Sequence, residues 1–365
     1  MIIGVPREIK SDEYRVALLP VGAELLTKDG HSVLIEKGAG LASGFEDQRY
    51  ITAGAQIVDS AEQIYSRAEM VVKVKEPQQQ EISLLVKDQI VFCFFHFAAS
   101  LDLTQGCLDA GITAVAYETL GDGQGRLPLL TPMSEIAGKM SVQEGAKYLE
   151  KPMMGRGILL GGVAGTAPAN VLILGGGIVG SNAAKVAAGL GANVTVMDIN
   201  LDRLRYLDDI MSANVTTIYC DPHAVQHYAI HADLVIGAVL VPGGRAPTLI
   251  SSSLLTQMKN GSVIVDVCVD QGGCVETCKP TTHREPTYVI DGVIHYCVTN
   301  IPGAVSRTSS QALCNATLPY VRQLASLGVK AFAAVDRGHD EAINIQNHKI
   351  VNSIVAEVFP QLPKK

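Results

Sequence analysis

VLILGGGIVGSNAAKVAAGLGANVTVMDIN, residues 171–200, is the stretch that decides the fold. Its opening run, 171–174, is apolar at every position, the pattern of a parallel strand buried on both faces. Gly175-x-Gly177-x-x-Gly180 follows at once. Then come a small-residue helix over 182–190, a stop at Gly191, and a second strand over 193–197 that ends in Asp198. Each piece has a physical task in holding a dinucleotide. Gly175 permits the tight turn, Gly177 the close approach of backbone to a pyrophosphate, and Gly180 the contact of helix with strand. The helix start offers N–H groups and the positive end of its dipole to the phosphates. Asp198 is spaced to accept hydrogen bonds from an adenosine ribose. With strand, helix, second strand and acid in register, the stretch reads as a nucleotide site rather than a structural turn. The carboxylate would repel a 2′-phosphate, which favours NAD, while Arg203 nearby keeps NADP open.

Outward from this stretch, 365 residues leave room for two domains with substantial cores. Hydrophobic residues at 47% and charged ones at 18% describe a globular chain. A formal charge of −7 argues against a nucleic-acid footprint. Apolar runs such as 90–95 are strand-length, so no membrane span is expected. Met1 leads straight into a strand without a basic-then-apolar leader, and a cytoplasmic protein is expected. Of the eight cysteines, Cys93, Cys107, Cys220, Cys268, Cys297 and Cys314 read as buried thiols. Cys274 and Cys278 form CxxxC with His283 close by but no second pair, so no metal is expected.

The first 120 residues alternate strands (2–5, 32–36, 70–75, 90–95, 113–117) with helical patterns (20–28, 60–68, 82–86, 101–110), which implies a parallel, doubly wound sheet. A long helix is expected from Ser134 towards Lys151. After Asp198, strands are expected at 215–219, 234–239, 263–267 and 295–298. Helices are expected at 309–327 and 343–358. The chain therefore reads as α/β, with two Rossmann-like doubly wound domains.

Ligands in open α/β sheets bind beyond the carboxyl ends of the strands. In the first half those ends carry Arg15, Lys75, His96 and Glu118. Three of the four can be cationic, so a small carboxylate is the natural guest, with Arg15 as a fork and Lys75 as a point charge. Each has a plainer reading: a solvated loop arginine, an edge strand blunted by Lys73 and Lys75, a satisfied core histidine, or a loop-capping glutamate. In the second half, Asp266 lies within a strand and Asp270 just after it. The run 232–244 enters a small-residue loop suited to close approach to a cofactor.

The segments VPREIKSDEYRVAL, VVKVKEP, AYETL, PLLTPMSEIAG, NLDRLRYLDD, VIVDVCVDQGGCVET and NIPGAVSRTS, with the glycine-loop unit, resemble the alanine dehydrogenases over nearly the whole chain. The resemblance implies reversible NAD-dependent oxidative deamination of L-alanine to pyruvate and ammonium. It also implies a homohexamer and an interdomain cleft that closes. The substrate domain would be discontinuous, 1–128 plus 307–365, with NAD bound by 129–306. Carried over, Arg15 and Lys75 hold the substrate, and His96 and Asp270 are the acid/base residues. Besides Gly175, Gly177 and Gly180, the cofactor is assigned Ser134, Ile178, Val179, Asp198, Arg203, Cys220, Val239, Leu240, Val267, Cys268, Val269, Asp270, Lys279, Val298, Thr299, Asn300 and Ile301. Cys220 stands where the family often has serine, Lys279 where arginine is usual, and Cys268 where alanine is usual. The alternatives are an NAD-binding transhydrogenase-like component and a related amino-acid/keto-acid oxidoreductase.

Overall fold

The computed structural model describes residues 1–239 and 246–365. The chain divides into two compact units, Met1–Met133 with Gly303–Lys365, and Ser134–Pro302. In chain order the strands are β1 Ile2–Val5, β2 Ser32–Glu36, β3 Gln56–Val58, β4 Met70–Lys75, β5 Ile90–Phe94 and β6 Thr113–Ala116 in the first unit. The second unit holds β7 Asn170–Leu174, β8 Asn193–Asp198, β9 Val215–Tyr219, β10 Leu234–Gly237, β11 Val263–Asp266, β12 Thr287–Ile290 and β13 Val293–Tyr296. The chain then returns to the first unit with β14 Ile343–Gln346 and β15 Lys349–Ile350.

Among the described residues these make two sheets, ordered β15-β14-β6-β5-β4-β1-β2-β3 and β12-β13-β11-β10-β7-β8-β9. Strands β1 to β6 are parallel, as are β7 to β11 with β13. In each sheet the winding reverses once, between β1 and β4 and between β7 and β10. Those reversals are the switch points at which open α/β sheets take ligands. Crossover helices cover the faces, so central strands such as β5 (IVFCF) are buried at every residue. Each fully buried Val, Ile, Leu or Phe contributes about 1.5–3 kcal/mol.

Two expectations fail here for identifiable reasons. Strand β4 is not an edge; it lies between β1 and β5. Lys73 in its middle is fully buried and paired with Glu81 (2.8 Å) and Glu8 (3.3 Å), so the blunted-edge reading of the two lysines is wrong. The helix expected over 343–358 is instead the β14–β15 hairpin followed by a short helix, Ser353–Val358. Asn347 and His348 both adopt positive φ, the geometry of a two-residue hairpin turn. Ile343 and Ile345 then pair antiparallel with β6. Strands β3 and β12 were not anticipated: three-residue β3 is too short for a periodic signal, and β12 (TYVI) is nowhere fully buried.

The helical segment Ser306–Ala333 breaks at Gly328 (φ 71°, ψ 168°), directly after the expected end at 327, and ties the C-terminal segment into the first unit. Ser310 Oγ accepts from the Val16 N–H (3.0 Å), the Cys314 thiol donates to the Ala17 carbonyl, and Arg322 forks onto Asp29 (2.6 and 2.9 Å).

Candidate functional site

In the first unit the loop after β1 places Arg15 at the switch point, and β4, on its other side, ends in Lys75. Arg15 is buried. Glu13 takes the Nε–Nη2 edge of its guanidinium, with Nε donating at 2.6 Å, and Nη1 faces Met133 Sδ at 3.0 Å. Burial works to raise the Glu13 pKa, but Arg15 prevails and holds it below the ordinary value. Lys75 is pushed below its ordinary pKa, first by desolvation and then by the charges of Arg15 and Lys10, against the opposing pull of Glu76 and Glu13. Lys10 is itself bound to Glu76 at 2.5 Å, and the other Glu76 oxygen is buried without a hydrogen-bond partner among the described residues. Among the described residues, Arg15, Lys75 and Lys10 thus gather with the carboxylates of Glu13 and Glu76, and Arg15 and Lys75 stand close enough for their like charges to act on each other.

His96 follows β5 in a left-handed conformation, φ 50° and ψ 43°. Such a backbone costs a non-glycine residue of order 1–3 kcal/mol and persists only when its surroundings enforce it. Glu118 does so: its carboxylate accepts from the N–H groups of Phe95 (3.2 Å) and His96 (2.5 Å). Glu118 is therefore a clamp on the His96 turn as well as a charge beside it. The ring of Phe94 lies parallel to the imidazole at 5.8 Å. His96 is exposed, yet desolvation, opposed by Glu118 and reinforced by Lys75, keeps its pKa below the usual histidine value. At neutral pH the ring is neutral and able to take a proton. Beneath this cluster, burial raises the pKa of Glu8 to about 7 despite Lys73. Arg15, Lys75 and His96 are thus assembled at one rim.

In the second unit the glycine loop closes β7. Gly175 has φ 105°, and a Cβ there would stand 2.5 Å from the Ala238 carbonyl after β10. At Gly180 a Cβ would fall 1.8 Å from the Gly175 carbonyl, whereas at Gly177 nothing lies within 4 Å. The space before Gly177 is what a pyrophosphate approaching the backbone needs, so the loop fits a dinucleotide. The helix begins at Ile178, four residues before the expected start, with Gly177 as its N-cap. Ile178 and Val179 therefore lie in its first turn, whose N–H groups have no partner within the helix.

Asp198 braces this loop, accepting from the Gly176 N–H (2.7 Å) and the Asn200 N–H (2.8 Å). Arg203 lies in the first turn of the helix Leu201–Ile210 and donates from Nε to the Gly176 carbonyl (2.5 Å), with its guanidinium over Tyr206. It too holds the loop. Cys220 is half-buried after β9; its N–H donates to the Asp198 carbonyl, and burial with that carboxylate raises its thiol pKa.

The remaining cofactor candidates follow neighbouring strands of the same sheet: Val239 after β10, Val267, Cys268, Val269 and Asp270 after β11, and Val298, Thr299, Asn300 and Ile301 after β13. Asp270 is exposed in the turn Val269–Gln271. Ser134 is half-buried near the start of the helix Thr131–Tyr148, and Lys279 is exposed with its ammonium 4.8 Å from the Tyr288 ring. Leu240 lies outside the described residues. Sequence reasoning missed Glu13 and Glu76. Their signal was an acid beside each cation, as in EYR and KEP, but only three-dimensional burial shows the pairs to be structural.

Two family models, described as alanine dehydrogenase/PNT N-terminal and C-terminal domains, match residues 4–137 and 141–353. An alanine dehydrogenase of Halomonas elongata is 51% identical over 98% of this chain and 97% of its own length. One of Bacillus subtilis is also 51% identical, over 98% of this chain and 94% of its length. A solved L-alanine dehydrogenase superposes with a TM-score of 0.95 at 53% identity, covering 99% of both chains. A transhydrogenase from Sinorhizobium meliloti shares the fold at a TM-score of 0.82 and 24% identity.

Proposed function

The chain belongs to the alanine dehydrogenase/PNT family, and from that premise we propose that it is an NAD-dependent alanine dehydrogenase, interconverting L-alanine and water with pyruvate and ammonium. The observation that carries the chemistry is the meeting of two cations, Arg15 and Lys75, at a sheet switch point, close enough for Arg15 to depress the Lys75 pKa. NAD, when bound, supplies the acceptor for the hydride that leaves the alanine Cα. Gly175, Gly177 and Gly180, with the N–H groups at the start of the helix Ile178–Gly189, would hold its pyrophosphate. Asp198 would meet the adenosine ribose, and the residues following β10, β11 and β13 complete the assigned set.

The protein's own part begins with orientation. Arg15 and Lys75 fix the substrate carboxylate so that the Cα–H is held in one direction, removing rotational freedom before the reaction. In the reverse direction Lys75 polarises the pyruvate carbonyl. Proton transfer falls to His96 and Asp270. Once the Cα hydride has left, water attacks the imine carbon; the neutral imidazole, held by the Glu118 clamp, takes the water's proton and returns it to the nitrogen as the carbinolamine collapses to pyruvate and ammonia.

The transhydrogenase-like alternative shares the family models and the fold at 24% identity, against 51% identity to alanine dehydrogenases over nearly the whole chain; no helix among the described residues is long and apolar enough to cross a membrane. A homohexameric assembly and a cytoplasmic location belong to the same proposal. NADH formation with a panel of L-amino acids tests it: L-alanine should be oxidised much faster than L-valine or L-glutamate. Equal turnover of glutamate would overturn the substrate assignment.

A further inference from the structure

Four of the eight cysteines, 29 residues apart from first to last, gather around one buried carboxylate. Asp266, at the end of β11, is wholly buried. Its Oδ1 accepts from the N–H (3.0 Å) and the thiol (2.9 Å) of Cys268, and its Oδ2 from the N–H of Cys274 (3.0 Å). Cys278 lies beside the same carboxylate: a Cβ built on Gly273 would stand 3.5 Å from its Cβ and 2.8 Å from Asp266 Oδ2, and the sulfur of Cys297 lies 3.7 Å from the Tyr288 hydroxyl. Two glycines make space for this arrangement. A Cβ on Gly237 would stand 2.7 Å from Cys274 Sγ and 2.9 Å from Asp266 Oδ1. Gly273, at φ 70°, would bring one within 2.8 Å of Asp266 Oδ2.

We propose that Asp266, Cys268, Cys274 and Cys278 form a binding site for one soft divalent cation of the zinc class. A carboxylate oxygen of Asp266 and the sulfurs of Cys268 and Cys274 all lie within 4.8 Å of one another. Ligand atoms around tetrahedral zinc stand roughly 3.5–3.8 Å apart, given Zn–S and Zn–O bonds of about 2.3 and 2.1 Å. Closing these three ligands is a shift of about an ångström, not a refolding. Cys278, half-buried and next to this cluster but outside its 4.8 Å spacing, supplies the fourth ligand by turning its side chain inward.

Charge supports the exchange. Without metal, the Asp266 carboxylate accepts hydrogen bonds from the Cys268 thiol and from the N–H groups of Cys268 and Cys274. A divalent ion that replaces the protons of the buried Cys268 and Cys274 leaves their summed charge unchanged, and the third proton released comes from the half-buried Cys278. Soft thiolates select zinc-like ions over magnesium or calcium. The ligand set differs from the CxxxC-plus-histidine grouping that the sequence brings to mind. His283 is engaged elsewhere, its Nε2 2.8 Å from the Asn300 carbonyl, and Asp266 and Cys268 take its place. The site stands at the root of the turn carrying Asp270. Any effect of occupancy on turnover rests on the function proposed above; the metal site itself does not.

The test is spectroscopic. The full-length protein, reduced and stripped with a chelator, is titrated anaerobically with Co²⁺. Expected are thiolate-to-cobalt charge-transfer absorption and the visible bands of tetrahedral cobalt, saturating at one ion per chain and displaced by Zn²⁺. Cys274→Ser and Cys278→Ser should each weaken Co²⁺ binding by at least roughly 10- to 100-fold, the loss already typical of outer-sphere changes. Cys107→Ser, in the other unit, should leave the titration unchanged. Circular dichroism and melting establish that each variant is folded. Should the buried Cys274→Ser variant fail to fold, the half-buried Cys278→Ser carries the test. No charge-transfer band at stoichiometric Co²⁺, or undiminished binding in a folded cysteine variant, overturns the site.

Discussion

The charged rim of the first unit and the glycine loop of the second occupy equivalent places, each at the reversal of a doubly wound sheet. They are built from opposite materials. The rim depends on buried charged side chains, Arg15 on Glu13, Lys73 on Glu81 with Glu8 beside it, and Lys75 against Arg15. The loop depends on backbone shape: an absent Cβ at Gly175 and Gly180, and N–H groups turned towards Asp198 and the helix entrance. The rim should therefore break when a charge is removed, and the loop when a methyl group is added.

The largest effect is expected from Arg15→Ala. It removes a substrate contact and leaves Glu13 buried without its ion-pair partner, a loss of about 3–5 kcal/mol in stability. Adding Glu13→Gln should restore much of the melting temperature while alanine and pyruvate still bind poorly, because the second change removes the buried charge and not the substrate defect. If the double variant regains alanine turnover along with stability, Arg15 has no part in substrate binding.

Cofactor choice comes next. A 2′-phosphate brought beside Asp198 should lose ~2–4 kcal/mol after screening, a preference for NAD of about 30- to 1,000-fold. Arg203 offsets little of this, because its Nε is committed to the Gly176 carbonyl. Asp198→Asn should narrow the gap in kcat/KM between NAD and NADP. Comparable wild-type values for the two cofactors would show that Arg203 governs the pocket.

The glycines sharpen the contrast within one loop. Gly180→Ala drives a methyl group into the Gly175 carbonyl, and overpacking of this kind costs roughly 1–3 kcal/mol. Gly177→Ala meets open space, so the melting temperature should hold while the KM for NAD rises roughly tenfold, about 1.4 kcal/mol. A Gly177→Ala protein with unaltered NAD affinity would remove the pyrophosphate from that position.

The smallest effect is in the pH profile of kcat/KM. A histidine acting as a base is inactive when protonated, so its rate falls as pH drops through its pKa. Desolvation lowers the His96 pKa from its ordinary value, which moves this acidic limb to lower pH than for a free histidine. Glu118 works to raise that pKa, so Glu118→Gln should move the limb further down. A limb that persists unchanged in His96→Ala belongs to another group.

Much of this was legible in the chain. The glycine spacing, the strand-length apolar runs and the polar residues after them locate both switch points, since period and spacing are local properties of a polypeptide. Arg15, Lys75 and His96 could be named as strand-end residues for the same reason. Other features were not legible because they depend on partners distant in sequence. Lys73 and Lys75 look alike in VVKVKEP, yet β1 and β5 enclose Lys73 with Glu8 and Glu81 while Lys75 reaches the rim. Glu118 reads as a loop acid until β5 and β6 align and its carboxylate meets the His96 N–H.

The sequence by itself determined two Rossmann-like sheets, a glycine loop for a dinucleotide, and the residue types offered to a small carboxylate. Only the tertiary structure decided which charges are structural and which face the rim. It also decided that 343–346 extends a sheet instead of forming a helix, and that Cys268, Cys274 and Cys278 converge on Asp266. The reason is physical. Hydrophobic period and glycine spacing are set by neighbours along the chain, whereas the state of a buried charge, thiol or edge strand is set by whatever folding brings against it.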